Sequence, residues 1–136
     1  MANEAILLVK TEEAVPFTVA DGAGIEKGAI LKLTNLNTAV ITSAAEDSFA
    51  GIAAAEKISG DGKIRLGAYR GGQFKMYLSG SVSVGHPVSV GSPANFIKEA
   101  PVTASGSATI GIALEDGADG EQIRVEVRPG VSANVS

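Results

Sequence analysis

Gly51-Ile52-Ala53-Ala54-Ala55-Glu56, a turn at Ser59-Gly60-Asp61-Gly62, and Lys63-Ile64-Arg65-Leu66 read as strand, turn and strand, and the chain writes them twice. Gly111-Ile112-Ala113-Leu114-Glu115 leads through Asp116-Gly117-Ala118-Asp119-Gly120 to Gln122-Ile123-Arg124-Val125, with the same opening and the same close. The Gly-Ile-Ala triplets lie 60 residues apart and the Ile-Arg pairs 59, so the copies differ by one residue in the turn. Such a change costs little, because closure entropy depends weakly on loop length. The flanking strands are kept and the turn is rewritten, which marks the hairpin as scaffold and not as an active site.

The repeat reaches further upstream. Ile25-Glu26-Lys27-Gly28 is a glycine turn feeding Ala29-Ile30-Leu31-Lys32-Leu33, with Leu31 and Leu33 expected on one face. Val82-Ser83-Val84-Gly85-His86-Pro87-Val88-Ser89-Val90 has the same spacing of apolar residues about its glycine, 57 positions later. Two related halves, at about 25–78 and 82–128, are the simplest account, inside a single β domain at 21–129.

The remaining segments fit that plan. Lys63-Ile64-Arg65-Leu66 and Gln122-Ile123-Arg124-Val125-Glu126-Val127-Arg128 alternate with period two, which predicts aliphatics inward and charges in solvent. Gln73-Phe74-Lys75-Met76-Tyr77-Leu78 alternates too, and after Gly71-Gly72 it is expected to complete a meander with residues 64–69. Thr38-Ala39-Val40-Ile41-Thr42 reads as a short strand, and Ala44-Ala45-Glu46-Asp47 as a turn or at most one helical turn. No apolar period of 3.6 residues survives the glycines and β-branched runs, so no long amphipathic helix is expected. Seventeen glycines at strand-length intervals favour an all-β sandwich or small barrel.

The ends differ from the middle. Ala5-Ile6-Leu7-Leu8-Val9 is the densest apolar run, followed by Val15-Pro16-Phe17-Thr18-Val19, where Pro16 cannot donate to a ladder. Residues 1–20 therefore read either as an extended arm or edge strands, or as an ordinary first strand buried on both faces. The small, polar residues 130–136 are expected to form a flexible tail.

Composition bounds the function. The 136 residues suit one domain with a modest core, and the apolar fraction of 45% leans on Ala, Val and Ile with only 4% aromatics. Cysteine is absent, which removes disulfides, thiolate metal sites and cysteine nucleophiles. A net charge of −4 and a pI near 4.9 argue against nucleic acid as a partner, whose phosphates call for clustered Lys and Arg. No apolar run approaches the ~18–20 residues of a membrane span, and the first residues lack the basic region of a signal peptide, so a soluble protein is expected.

Catalytic and cofactor motifs fail one by one. His86, the only histidine, stands before Pro87, in a context that favours an extended backbone and a structural role. No serine lies in a Gly-x-Ser-x-Gly elbow. Gly62-Lys63 lacks the earlier glycine of a phosphate loop, since position 57 is Lys57, and Gly22-Ala23-Gly24 meets Lys27 where a dinucleotide fingerprint needs its third glycine. Glu115, Asp116, Asp119 and Glu121 offer oxygen ligands of the kind calcium takes, but their spacing matches no EF-hand, and Asp-Gly pairs are ordinary turn chemistry. No catalytic residue, cofactor or metal site is predicted, and the protein is expected not to be an enzyme.

Several stretches, in order, resemble the capsid cement or head decoration proteins of tailed bacteriophages. They are Met1-Ala2-Asn3-Glu4, Ile25-Glu26-Lys27-Gly28, Phe49-Ala50-Gly51-Ile52-Ala53, Val84-Gly85-His86-Pro87-Val88 and Ile110-Gly111-Ile112-Ala113-Leu114-Glu115. Relatives have also been labelled a predicted phage recombinase, which the missing phosphate loop argues against. The resemblance implies a small β-rich protein, commonly a homotrimer, made in the host cytoplasm. It would bind the outer surface of an assembled head and tie neighbouring major capsid proteins together. Ile6, Leu7, Leu8, Val9 and Phe17 are the candidate contacts with capsid or a neighbouring subunit, because an apolar extended segment can lie on a partner or add a strand to it. The alternatives are the base of a head fibre, an adhesin-like module that binds a cell surface, or a hydrolase using His86.

Overall fold

The computed structural model describes residues 3–45, 47–100 and 108–129, which leaves the expected tail at 130–136 outside the described residues. Among the described residues, eleven strands follow one another without an α-helix. They are β1 (Ile6–Val9), β2 (Val15–Thr18), β3 (Ile30–Asn35), β4 (Thr38–Ile41), β5 (Phe49–Ala53), β6 (Arg65–Tyr69), β7 (Gly72–Leu78), β8 (Pro87–Val90), β9 (Phe96–Glu99), β10 (Thr109–Ala113) and β11 (Gln122–Val127).

Five strands close on themselves in the order β2-β4-β3-β5-β6, forming a first barrel. The second sheet runs β1-β7-β11-β10-β8-β9, and an added pairing of β7 with β9 closes five of its strands into a second barrel, with β1 laid against β7 from outside. The all-β expectation holds, and the small barrel occurs twice. Pairing for pairing, β2 to β6 answer β7 to β11. The antiparallel pair β2·β6 matches β7·β11, the parallel pair β2·β4 matches β7·β9, and β3·β4, β3·β5 and β5·β6 match β8·β9, β8·β10 and β10·β11. The bridges outside the strands repeat as well, Ile25 with Lys57 in one barrel and Val82 with Gly117 in the other.

Glycine fixes the shared geometry at two equivalent places. Gly28 and Gly85 hold φ of 91° and 85° ahead of β3 and β8, a region that side chains disfavour, and their amides donate to Ala53 and Ala113. In β5 and β10, Gly51 and Gly111 lie where the neighbouring strand passes close. A Cβ on Gly51 would stand 2.8 Å from the Tyr69 carbonyl oxygen, and one on Gly111 would run into that of Glu126.

The first barrel is filled with small groups, Ala29, Ala39, Ala50, Ala53 and Ala68 around Phe17, Leu31 and Leu66. The second is filled by Phe74, Met76, Leu78, Val88, Ile97, Ile110 and Ile123, and this cluster extends to Ile30, Phe49 and Ile52 on the outer wall of the first. Hence β5 is buried at all five positions, with Ala50 and Ala53 facing its own barrel and Phe49 and Ile52 facing the neighbour. Asn95, fully buried at φ 73°, adds a polar tie, since its Oδ1 accepts the Ile30 amide across the junction at 3.0 Å.

Three expectations change. β7 forms no meander with residues 64–69; Gly71-Gly72 is the junction between barrels, and β7 pairs with β1, β9 and β11 instead. Leu33 keeps the register of Leu31 against β4 but stands exposed further along β3, so the face the two share is buried only at Leu31. Ile64 precedes β6 and points into solvent, so the inward alternation begins only at Leu66. The inward faces of β7 and β11 are as predicted, with Phe74, Met76, Leu78, Ile123, Val125 and Val127 all buried. Ala44-Ala45 and Asp47 do form a turn, with the Asp47 carboxylate accepting the Ser43 and Ala44 amides.

Candidate functional site

The predicted contact residues separate in the fold. Ile6, Leu8 and Val9 are exposed along β1, while Leu7 turns inward and packs on the second core. β1 pairs with β7 on one side only, through Ile6 with Lys75, Leu7 with Phe74 and Val9 with Gln73. Just before it, the Ala5 amide donates to the Gly28 carbonyl at 2.8 Å, so the N-terminal segment laces the first barrel to the second. Phe17 lies in the core of the first barrel at 5% exposure and offers no surface. A short apolar strand without proline or inward charge leaves an edge of the kind that proteins usually protect.

The loops that close corresponding ends of the barrels carry the other chemistry. In the first barrel this end is organised by Lys57, 1% exposed, which in the sequence stands only where a phosphate loop would need glycine. Its Nζ donates to Asp61 Oδ1 and the Ile58 carbonyl, both at 2.7 Å, and to the Asp21 carbonyl at 2.9 Å and Asp21 Oδ1 at 3.1 Å. Four oxygens thus converge on one ammonium, more than its three protons satisfy singly. The carboxylates also accept from the backbone, Asp21 from Gly62 and Asp61 from Lys63.

Burial pulls the Lys57 ammonium toward its neutral form, but the hydrogen bonds and charges of Asp61 and Asp21 outweigh it and hold its pKa above the ordinary lysine value. Asp61 is held below the usual carboxylate range, first by its hydrogen bond from Lys57 and then by the Lys63 amide.

The second barrel closes the same end without a charge. Gly117 stands where Lys57 stands, and a Cβ there would meet the side chains of Ile123 and Leu78. Leu78 in turn occupies the place of Asp21, since Gly60 donates to the Asp21 carbonyl and Gly120 to that of Leu78. A lysine with an aspartate in one copy is therefore exchanged for a glycine with a leucine in the other. The signal was present in the duplicated stretch, where Lys57 aligns with Gly117.

The acidic loop of the second barrel is spent on its own backbone. Glu115 accepts the Arg124 amide, Asp116 that of Val84, Asp119 that of Gly80 and Glu121 that of Ala118, at 2.7–2.9 Å. Among the described residues, no three acidic or histidine side chains gather as a metal site would require. His86 is exposed, its Nδ1 3.1 Å from Glu99 Oε1, and its carbonyl accepts the Ala113 amide, so it serves the turn before β8.

No protein family model matches this chain, and neither does any curated protein. Among solved structures, the chain is similar to the crystal structure of the head fiber gp8.5 N base in bacteriophage phi29. That likeness has 12% identity and a TM-score of 0.56, and covers 86% of this chain and 94% of that one. At that identity it is the tandem-barrel fold that the two share.

Proposed function

We propose that this chain is a structural protein of a tailed-bacteriophage head, attached to the outer surface of the shell as a decoration protein that ties major capsid proteins together. The observation that carries the reading is the tandem barrel, which follows a phage head fibre base over nearly the whole of both chains. The ordered motifs shared with head decoration proteins point to the same particle. Ile6, Leu8 and Val9 on the one-sided strand β1 supply an apolar surface for the shell, and many such contacts repeated on a symmetric particle bind through avidity. The reading assigns no catalytic step. Association of copies into a homotrimer belongs to it.

Mixing the purified protein with undecorated heads tests the proposal. Co-sedimentation that saturates at a fixed ratio to the major capsid protein is expected, and absence of binding overturns it. A second reading, the base of a head fibre, is favoured by the name of the similar structure itself. Cryo-electron microscopy of decorated particles separates the two, because a fibre base carries a projecting fibre and a cement protein does not.

A further inference from the structure

The two barrels meet end to wall. The end of the second barrel that carries Phe74, Val90 and Asn95 is seated on the outer wall of the first, where Phe74 packs on Tyr69 with ring centroids 5.9 Å apart and Asn95 accepts the Ile30 amide. Phe74 is 1% exposed, and Val90 and Asn95 are fully buried. A contact of this type joins two different surfaces, so a repeated barrel that makes it once leaves one end and one wall unused.

Strand register identifies both. Val15 answers Phe74, because these residues pair with Ala68 and Val125, which in turn stand opposite Ala53 and Ala113. Leu33 answers Val90, opposite Ala39 and Ile97. Asn37 answers Asn95, each at positive φ one residue before a strand that pairs in parallel, through Thr18 with Thr38 and Tyr77 with Phe96. In the first barrel this end is open: Val15 is 39% exposed, Leu33 40%, and Leu36, at the hairpin tip beside Asn37, 91%.

The unused wall belongs to the second barrel. Ile30, Ile52 and Tyr69 of the covered wall have Pro87, Ile112 and Glu126 as counterparts, all half-buried, with the exposed His86 beside them. Gly28 is closed over by Ala5, whereas its counterpart Gly85 has nothing within 4 Å. The polar tie is missing from both unused halves together. Pro87 has no amide hydrogen to give where Ile30 gives one, and the side-chain amide of Asn37 donates to the Pro16 carbonyl of its own barrel.

We infer that the open end of the first barrel, with Val15, Leu33 and Leu36, docks on the Pro87 and Ile112 wall of the second barrel in another copy. It repeats between chains the contact that each chain makes within itself. The occupant is a second copy because the fold already seats this end on this wall once, and because the end stands exposed in its own chain. The contact is head to tail, and it closes into a ring when the rotation per copy divides the circle.

This rests on the association of copies proposed above, and one set of measurements separates the two. Sedimentation velocity of the whole chain is expected to show an oligomer. Leu36→Asp, at a solvent-facing tip, should weaken association by about tenfold or more, the effect of losing one buried leucine, without changing the melting temperature. The chain has no cysteine, so a short bismaleimide can report the contact directly. Co-expressed Leu36→Cys and His86→Cys chains are expected to be linked one to one, with no product from either chain alone. Failure of that pattern, or an oligomer unaffected by Leu36→Asp, overturns the interface and leaves the association standing, while a wild-type monomer overturns both.

Discussion

Lys57 and Gly117 occupy the same point of the two barrels, each bridged to the segment before a glycine turn, through Ile25 in one and Val82 in the other. One fills its barrel end with a long cationic side chain and the other leaves the space to Leu78 and Ile123. Lys57→Gly is expected to lower the urea midpoint, because Asp21 and Asp61 are left facing each other without their cation. Adding Asp21→Leu, which transplants the solution of the second barrel, should recover part of the loss. Gly117→Ala should cost about 1–3 kcal/mol through overpacking. Urea unfolding of the four proteins checks all three.

The same cluster sets a pH window. The raised pKa of Lys57 means that its contribution is fully present below 10.5 and is lost as pH rises through the higher folded value. The lowered pKa of Asp61 means that its contribution is present above 3.8 and is lost as pH falls through the lower folded value. The difference in melting temperature between wild type and Lys57→Met is therefore expected to be flat across neutral pH and to shrink at both extremes. Differential scanning calorimetry from acid to alkaline buffer measures it, and a difference that shrinks near neutrality contradicts the assignment.

Gly51 and Gly111 form a matched pair for mutagenesis. Alanine at either position presses a methyl group onto the backbone of the next strand, so each substitution should cost about 1–3 kcal/mol, more at Gly111 because the approach is closer. Circular dichroism during denaturation should show a lower midpoint in both and the larger shift in Gly111→Ala.

Removing residues 1–10 deletes β1, the partly buried Leu7 contact and the Ala5 bond to Gly28. A loss of about 2–3 kcal/mol is expected from the buried side chains alone, with faster hydrogen exchange in β7. Capsid attachment should fall in the same variant. The triple exchange of Ile6, Leu8 and Val9 for Ser isolates the surface effect, weakening attachment while the lacing bond remains.

The sequence announced the duplication because strands keep their apolar spacing while turns drift, as Gly51-Ile52-Ala53 and Gly111-Ile112-Ala113 do. It did not announce where the copies divide. The run around Phe74 has the same period whether it closes the first half or opens the second, and only the pairing of β7 with β11 and β9 decides. Ile64 was misjudged for a related reason, since an apolar residue beside a strand end faces in or out according to where the strand starts. Lys57 was invisible as a buried group because charged residues are rarely buried unless paired, and its partners Asp21 and Asp61 lie on different loops.

The unequal filling of the two barrel ends also bears on how the chain finds its structure. Twin halves with one topology invite exchange of equivalent strands during folding, a hazard of repeated architectures. If the Lys57 hairpin entered the second barrel, its side chain would meet Leu78 where it needs the Asp21 carboxylate, and the Gly117 hairpin in the first barrel would leave Asp21 and its cavity unanswered. The closing hairpins of the two halves are therefore not interchangeable, and the exchange of Lys57 and Asp21 for Gly117 and Leu78 disfavours swapping them.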